Sequence, residues 1–560
     1  MAEVEGSTLV ARALHEQGTE HVFTVVGGPV IEAVGACGDL GVRPIGARHE
    51  QAAVFAALGE GYVAGRVGVA LLASGPAVTN AMTGVHVAWD NCWPLVVLGG
   101  SAALATSGLG GFQEADSVTM MQSITKWSVR ADRAERIPEL IARAHHVAMS
   151  GRPGPVYVDL PSDVLSATID ESRVRPAGRA APPARPMGDP SAIERAAELL
   201  LEAERPLLIV GKGLRWSQAY EEVSRLVDDL NLPFLSSPMG RGAIPDDHAL
   251  NVGAARSFAL RGADTVVVVG ARLNWVFGFG RSIPADANVI QIDIDPEEIG
   301  RNRPATVGIV GDAGTVLRQL LMALEGRSEP ARSRAAESPW LSDLREHRAK
   351  NEAALQPLMD SDAVPMNHHR LFRDLRDVLP RECIITVDGQ ITFATARQLL
   401  PSHIPAARLN PATNGCMGVG VPFAVGAQLA RPDLRVLSVN GDSSFGFNGL
   451  EVETALRYDL PIVFVVDNND GIMGGILESR MFKQPHGERV AMYRPQARYD
   501  RVIEAFGGHG EHVTRPEELR PALERAFAAG RAALVNVVVD PLAMWPAPTE
   551  GRRASALMGY

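Results

Sequence analysis

The chain has 560 residues and a formal net charge of -11, with 46% hydrophobic and 21% charged residues. That length exceeds one hydrophobic core and predicts several domains of about 100–200 residues each. The composition excludes a largely disordered chain, and the negative balance argues against general phosphate neutralisation on nucleic acid.

Taken in order, MAEVEGSTLVARALHEQG reads as an amphipathic helix with an acidic head rather than a signal peptide. The apolar runs 21–28, 67–74, 94–100 and 154–161 are expected to be buried parallel strands, with helix-like stretches such as 49–65 between them. This alternation implies an α/β domain with helices on both sheet faces, spanning 1–165. Residues 174–190 carry five prolines and read as a linker. A second domain, 191–325, has strands expected at 206–211, 264–270 and 288–296. The charge-rich stretch 326–353 precedes a third domain, 366–545, which opens with a helix at HHRLFRDLRDVL and a strand at 383–389. Residues 546–560 read as a tail. The first and third domains look like one kind of unit used twice. The fold class is therefore α/β, with three doubly wound domains.

Cys37, Cys92, Cys383 and Cys416 form no CxxC pair and no metal-ligand spacing, as expected in a reducing compartment. No apolar run is long enough to span a bilayer, and the terminal ALMGY is not a peroxisomal address. A cytoplasmic protein without a membrane or nucleic-acid partner is the expectation.

The richest motif is LRVLSVNGDSSFGFNGLEVETALRYDLPIVFVVDNNDGI, residues 434–472. It reads as strand (434–440), GDSS loop, helix (449–458), strand (461–467) and a polar turn. A right-handed βαβ unit brings both strand ends to one edge, with neighbouring strands about 4.8 Å apart. Asp442 and Asn469 then emerge close together at the carboxyl edge, where open α/β sheets bind ligands. A carboxylate, a neutral amide oxygen and the nearby Gly471 carbonyl are hard ligands of the kind Mg²⁺ takes. Gly441, Ser443 and Ser444 are small enough to let a diphosphate approach the following helix N-terminus. A plain Asp-capped turn would account for Asp442, but not for the asparagine pair that follows.

GDSS…NN closely resembles the cofactor motif of the thiamine-diphosphate (ThDP) decarboxylases, lyases and synthases, and the resemblance runs along essentially the whole chain. It implies pyrimidine-binding (1–165), middle nucleotide-binding (191–325) and diphosphate-binding (366–545) domains in that order. It also implies that Asp442, Asn469 and the Gly471 carbonyl hold Mg²⁺, and that Gly389 and Gln390 contact the diphosphate. Glu50, opening an alanine-rich helix in ARHEQAA, would alone be read as complementing the helix dipole. The resemblance makes it the glutamate that bonds the pyrimidine N1′ and promotes formation of the carbanion nucleophile. In NGCMGVGVPFAVGA it makes Met417 the apolar wedge beneath the cofactor and the Gly415 carbonyl an acceptor for the 4′-amino group. Because relatives build this site from two subunits, a homodimer or homotetramer is implied.

Within that superfamily, DNCWPLVVLGGSA (90–102) and FQEAD (112–116) resemble the 2-hydroxyacyl-CoA lyases, with oxalyl-CoA decarboxylases close by. The decarboxylases carry a tyrosine where Gln113 stands. The resemblance implies cleavage of an acyl-CoA substrate to formyl-CoA and an aldehyde or ketone, with Gln113 and Glu114 orienting the acyl oxygens. Glu488, in KQPHGERVAMYRP, is a candidate proton relay or a surface charge. In the acyl-CoA relatives the middle domain holds an ADP-like moiety, and Arg152, Lys212 and one of Asp293 and Asp295 (Asp295 preferred) match its contacts. Arg397 matches an arginine on CoA phosphate, and Arg553 and Ser555 belong to a tail that folds over the ligand. The alternatives are an oxalyl-CoA decarboxylase and an acetolactate-synthase-type carboligase, whose middle domain holds FAD.

Overall fold

Three all-parallel sheets organise the chain. The computed structural model describes residues 2–472 and 480–543, without the side chains of 334–337. The first sheet contains β1 (His21–Thr24), β2 (Arg43–Gly46), β3 (Gly68–Leu72), β4 (Leu95–Ser101), β5 (Trp127–Arg130) and β6 (Pro155–Pro161), in spatial order β2-β1-β3-β4-β6-β5. The second contains β7 (Pro206–Val210), β8 (Phe234–Ser236), β9 (Thr265–Val269), β10 (Asn288–Asp293) and β11 (Val307–Val310), in order β8-β7-β9-β10-β11. The third contains β12 (Cys383–Asp388), β13 (Arg408–Leu409), β14 (Arg435–Gly441), β15 (Val463–Asn468), β16 (His509–Val513) and β17 (Ala533–Val538), in order β13-β12-β14-β15-β17-β16.

The central strands are short apolar runs buried along their length, such as Gly68–Leu72 and Thr265–Val269. Helices on both faces remove both sides of such a strand from water, so its pattern is continuous rather than alternating. Several shorter strands, including β2, β5, β8 and β11, were not expected from the sequence. Each has too few residues to establish a pattern of its own.

By packing, the chain divides into two units. One comprises Met1–Ala184, Asn414–Val436 and Ser444–Ile462. The other comprises Arg185–Thr413, Leu437–Ser443 and the chain from Val463 onward. The second unit holds the middle sheet and most of the third.

Inside the first unit, helix Glu50–Ala64 lies against helix Gly420–Ala430. A Cβ on Gly426 would come 1.9 Å from the Ala56 carbonyl oxygen, and one on Gly59 would come 2.6 Å from that of Phe423. The two backbones therefore touch, which glycine alone permits. Phe55 meets Phe423 edge-on at 5.9 Å between ring centres. This close pairing accounts for a helix that is apolar on every side.

Two expectations about local structure change. Glu3–Glu5 is a short strand antiparallel to Thr168–Asp170, and the first helix begins only at Gly6. The GDSS segment is not a loop ahead of a helix at 449. Helix Asp442–Asn448 begins on the aspartate itself, and a 3-10 turn (Gly449–Glu451) leads into helix Val452–Arg457.

Candidate active site

In the second unit, β12, β14 and β15 are neighbours and deliver their carboxyl ends to one edge. Gly389 and Gln390 follow β12, Gly441 and Asp442 lie at the end of β14, and Asn469 to Gly471 follow β15. Parallel pairing of Gly441 with Asp467 fixes the register that sets Asp442 beside the Asn469 turn. Gly389 takes φ +99, and the Gly389 N–H donates to Asp388 Oδ1 at 2.7 Å. Gln390 is exposed at the first turn of its helix.

Asp442 is 1% accessible. Its Oδ1 accepts from the Ser443 N–H at 2.7 Å, and its Oδ2 from the Gly471 N–H at 2.7 Å. Burial pushes its pKa up to about 7 against the pull of those two bonds, with Asp467 and Asp470 adding to the rise. The terminal amide atom of Asn469 that faces this carboxylate lies 3.1 Å from Asp442 Oδ1 and 3.0 Å from the Gly471 oxygen. A metal-free site favours the amide nitrogen there, because nitrogen donates to both oxygens. A cation favours the amide oxygen instead, which then stands about 3 Å from each of the other two oxygens. That spacing is the edge of an octahedron with metal–oxygen distances of about 2.1 Å. The turn tolerates only glycine at 471, where φ is +145 and a Cβ would meet the Ala491 carbonyl oxygen at 2.2 Å.

Behind this edge sits a buried group that the sequence did not single out. His368 Nδ1 lies 2.8 Å from Asp467 Oδ1, and Thr392 Oγ1 donates to Asp467 Oδ2 at 2.9 Å. Burial alone would lower the histidine pKa, but the Asp467 carboxylate outweighs it and the pKa is raised. The available signal was Asp467 itself, two residues before Asn469 in VVDNND.

In the first unit, Glu50 is the first residue of its helix, and His49 caps that helix by accepting from the Gln51 N–H at 3.2 Å. Glu50 is half-buried rather than enclosed, and Asn80 Nδ2 donates to its Oε2 at 3.0 Å. Gln113 adopts φ +54, and its Oε1 accepts from Ser74 Oγ at 2.7 Å. Gly75 makes this approach possible, since a Cβ there would lie 2.5 Å from the Gln113 carbonyl oxygen. The Glu114 carboxylate is already engaged. It accepts from the N–H groups of Gly108 at 2.5 Å, Gly110 at 2.9 Å and Gly111 at 3.0 Å, and these bonds, Gly108 first, lower its pKa. Gly415 has φ +70 and Met417 is half-buried in the same turn. Asn414, which opens the turn, donates to Asp90 Oδ2 at 3.0 Å. Ser444 is buried in the helix begun by Asp442.

The remaining candidates are dispersed. Arg152, in the first unit, donates from Nε to Cys92 Sγ at 3.0 Å. Lys212 follows β7 in a turn packed so closely on Gly270 that a Cβ at Gly211 would lie 1.9 Å from the Gly270 oxygen. Asp295 caps the turn after β10 by accepting from the Glu297 N–H at 3.1 Å, and its own N–H donates to Asp293 Oδ1. Lys212 and Asp295 therefore both lie at the carboxyl edge of the middle sheet. Arg397 is paired through space with Arg256, a residue the sequence reading missed. Low-dielectric surroundings, then the Arg397 charge, bring Arg256 down to about 9, and Arg397 is lowered by its surroundings and by Arg241. Arg256 also lies over the Phe277 ring at 4.4 Å. Glu488 is exposed at the start of the four-residue helix Glu488–Ala491. Arg553 and Ser555 lie outside the described residues.

Three family models match the chain. They are the N-terminal thiamine pyrophosphate (TPP) binding domain at residues 4–120, the thiamine pyrophosphate enzyme central domain at 193–320, and the C-terminal TPP binding domain at 388–537. The chain belongs to the thiamine pyrophosphate enzymes. Its three parallel-sheet domains are those of the family, and its cofactor, ThDP, is the family's.

Among the relatives of this thiamine pyrophosphate enzyme, 2-hydroxyacyl-CoA lyase 1 of Mus musculus is 40% identical over 552 residues, covering 96% of this chain and 94% of the relative. Oxalyl-CoA decarboxylase of Escherichia coli (strain K12) is 34% identical over 546 residues, covering 96% and 95%. Acetolactate synthase large subunit IlvG of Mycobacterium tuberculosis is 36% identical over 540 residues, covering 96% of each chain. Among the described residues no helix is long and apolar enough to cross a membrane.

Proposed function

We propose that this thiamine pyrophosphate enzyme is a 2-hydroxyacyl-CoA lyase. It cleaves the C1–C2 bond of a 2-hydroxyacyl-CoA to give formyl-CoA and an aldehyde or ketone, and it catalyses the reverse condensation. The observation that carries this reading is the 40% identity to a named 2-hydroxyacyl-CoA lyase over 96% of the chain, against 34% for the decarboxylase and 36% for the synthase. Domain limits of 1–165, 191–325 and 366–545 fit the reading, since each span encloses one sheet.

Bound ThDP supplies a carbon nucleophile and an electron sink. The oxygens of Asp442, Asn469 and Gly471 are the proposed ligands of Mg²⁺, and their mutual spacing fits that ion. Gly389, Gln390, Gly441, Ser443 and Ser444 line the same edge and would accept the diphosphate. Glu50, oriented by Asn80, would hold a proton toward the cofactor's pyrimidine ring. Met417 would offer the cofactor an apolar support, and the Gly415 carbonyl would be available as an acceptor for its amino group. With Oε1 fixed by Ser74, Gln113 has its amide N–H groups left to orient the acyl oxygen. Glu114 acts mainly by fixing the 108–111 turn that leads into Gln113, because three N–H groups occupy its carboxylate.

The Arg397 charge disfavours that of Arg256, and the Arg241 charge disfavours that of Arg397. A CoA phosphate there would relieve that repulsion with charge-assisted bonds. Lys212 and Asp295 are proposed to hold an ADP-like moiety, with Arg152 as a further candidate and Glu488 as a proton relay. Exposed Leu109 and Phe112, 78% and 85% accessible, fit burial in a homo-oligomer. The four cysteines are free, consistent with a cytoplasmic location.

The test is mass spectrometry of products from the purified protein given ThDP, Mg²⁺, several 2-hydroxyacyl-CoAs and oxalyl-CoA, with pyruvate in a parallel tube. Formyl-CoA with a matching aldehyde or ketone is expected. Formyl-CoA with CO2 alone would make the chain a decarboxylase, and acetolactate from pyruvate alone would make it a carboligase.

A further inference from the structure

A carboxylate interrupts an apolar strand inside the third sheet. The residues Val463 to Val466 of β15 are apolar and buried, and Asp467 follows at 1% accessibility. Its two oxygens face His368 Nδ1 at 2.8 and 3.0 Å, and Oδ2 also accepts from Thr392 Oγ1 at 2.9 Å. His368 and Thr392 are each 3% accessible. One carboxylate thus joins β15, the start of helix His368–Val378 and the first turn of helix Gln390–Leu399.

Stability does not explain this arrangement. A buried ion pair offsets its desolvation only when its remaining polar atoms are also bonded, and His368 Nε2 is buried with no partner among the described residues. An apolar residue like those before it would serve the core at least as well. What the carboxylate does fix is register. In the parallel ladder Asp467 pairs with Gly441, the residue before Asp442, and in the chain it stands two residues before Asn469. Thr392, for its part, belongs to a helix whose start no side chain caps. The first N–H groups of such a helix are the ones available to an anion. The cation-facing turn and the anion-facing helix start therefore meet at one side chain.

We propose that Asp467, with His368 and Thr392, is a positioning residue that keeps the start of helix Gln390–Leu399 in register with Asp442 and Asn469. Its role is to hold the diphosphate-accepting and metal-accepting halves of this edge at a fixed separation. This rests on the reading of Asp442, Asn469 and Gly471 as Mg²⁺ ligands. All three residues act through the backbone segments they tie together. Loss of groups that orient metal ligands costs about 10–100-fold in metal affinity.

The experiment uses full-length Asp467→Asn, Thr392→Val, Thr392→Ser and Asp442→Ala proteins. Thr392→Val keeps the shape of the side chain and removes the donor, whereas Thr392→Ser keeps the donor. Mg²⁺ titrations at fixed ThDP, followed by quenching of intrinsic fluorescence well below the melting temperature, give the affinity. Melting with and without Mg²⁺ and ThDP gives the stability of each protein and its gain on loading. Mg²⁺ affinity is expected to fall about 100-fold in Asp467→Asn and about tenfold in Thr392→Val, and to stay near the parent in Thr392→Ser. The gain in melting temperature on loading is expected to shrink in the same order. Parental affinity in both Asp467→Asn and Thr392→Val, whatever their melting temperatures, would overturn the proposal and leave the group as packing. If Asp467→Asn does not fold, Thr392→Val and Thr392→Ser decide by the same readouts. Parental Mg²⁺ affinity in Asp442→Ala would instead sink the underlying reading of the metal ligands. Loss in Asp442→Ala with parental affinity in Asp467→Asn and Thr392→Val would sink the positioning role alone.

Discussion

The first and third sheets have the same topology but different carboxyl edges. Numbered within each sheet, both run 2-1-3-4-6-5, every strand parallel. The third strand of the third sheet leads into Asp442 and its fourth into Asn469, while the corresponding strands of the first sheet lead toward Ser74 and end at Ser101. One edge presents a buried carboxylate with two further oxygens about 3 Å from one another. The other presents hydroxyls that are already engaged, Ser74 on Gln113 and Ser101 on the buried Asp159, which pairs with Arg130. Topology supplies a place where helix starts and strand ends converge, and the loop residues decide its chemistry.

That comparison breaks most readily at Asp442. Asp442→Ala removes the one charged oxygen of the set, and turnover is expected to fall about 1,000-fold, as for loss of a principal electrostatic group. Titration of Mg²⁺ in the presence of ThDP checks it. Full affinity in the variant would show that the third edge is no more a cation site than the first.

A second consequence concerns pH. The folded pKa of Asp442, about 7, lies above its ordinary value of 3.8. Without cation the folded state therefore binds more protons than the unfolded state, so stability declines as pH rises from about 4 to about 7. A metal binds the ionised form, so Mg²⁺ affinity should rise about tenfold per pH unit below 7 and flatten above it. Denaturation curves with and without Mg²⁺ across this window test both signs. The window should vanish in Asp442→Asn.

The smallest effect is expected at the first edge. Ser74→Ala frees Gln113 Oε1 and should cost about tenfold in kcat/KM, the scale of a single hydrogen bond of about 1.4 kcal/mol. Mg²⁺ affinity should not change. Steady-state kinetics beside the same metal titration would expose a shared role of the two edges if both parameters moved.

Much of this organisation was legible in the chain. The long apolar runs mark central strands because burial on both faces demands continuous hydrophobicity, and GDSS…NN marks Asp442 and Asn469 because a βαβ unit fixes their edge. The short strands β2, β5, β8 and β11 were not, since they pair through backbone groups that any residue carries. Arg256 was not legible either. Its significance comes from lying near Arg397, 141 positions later in the chain, and no local pattern reports such a meeting.

By itself the amino-acid sequence determined the class of fold, the succession of α/β spans and the meeting of Asp442 with Asn469 at one sheet edge. These follow from periodicity and from the geometry of a βαβ unit, which are local properties. Only the tertiary structure decided that Glu114 is tied up by three loop N–H groups, that Glu50 is half-open rather than buried, and that Asp467 ties His368 to Thr392. Hydrogen bonds and desolvation depend on which groups meet after folding. The His368–Asp467 contact spans 99 positions, a distance over which the sequence alone carries no geometric information.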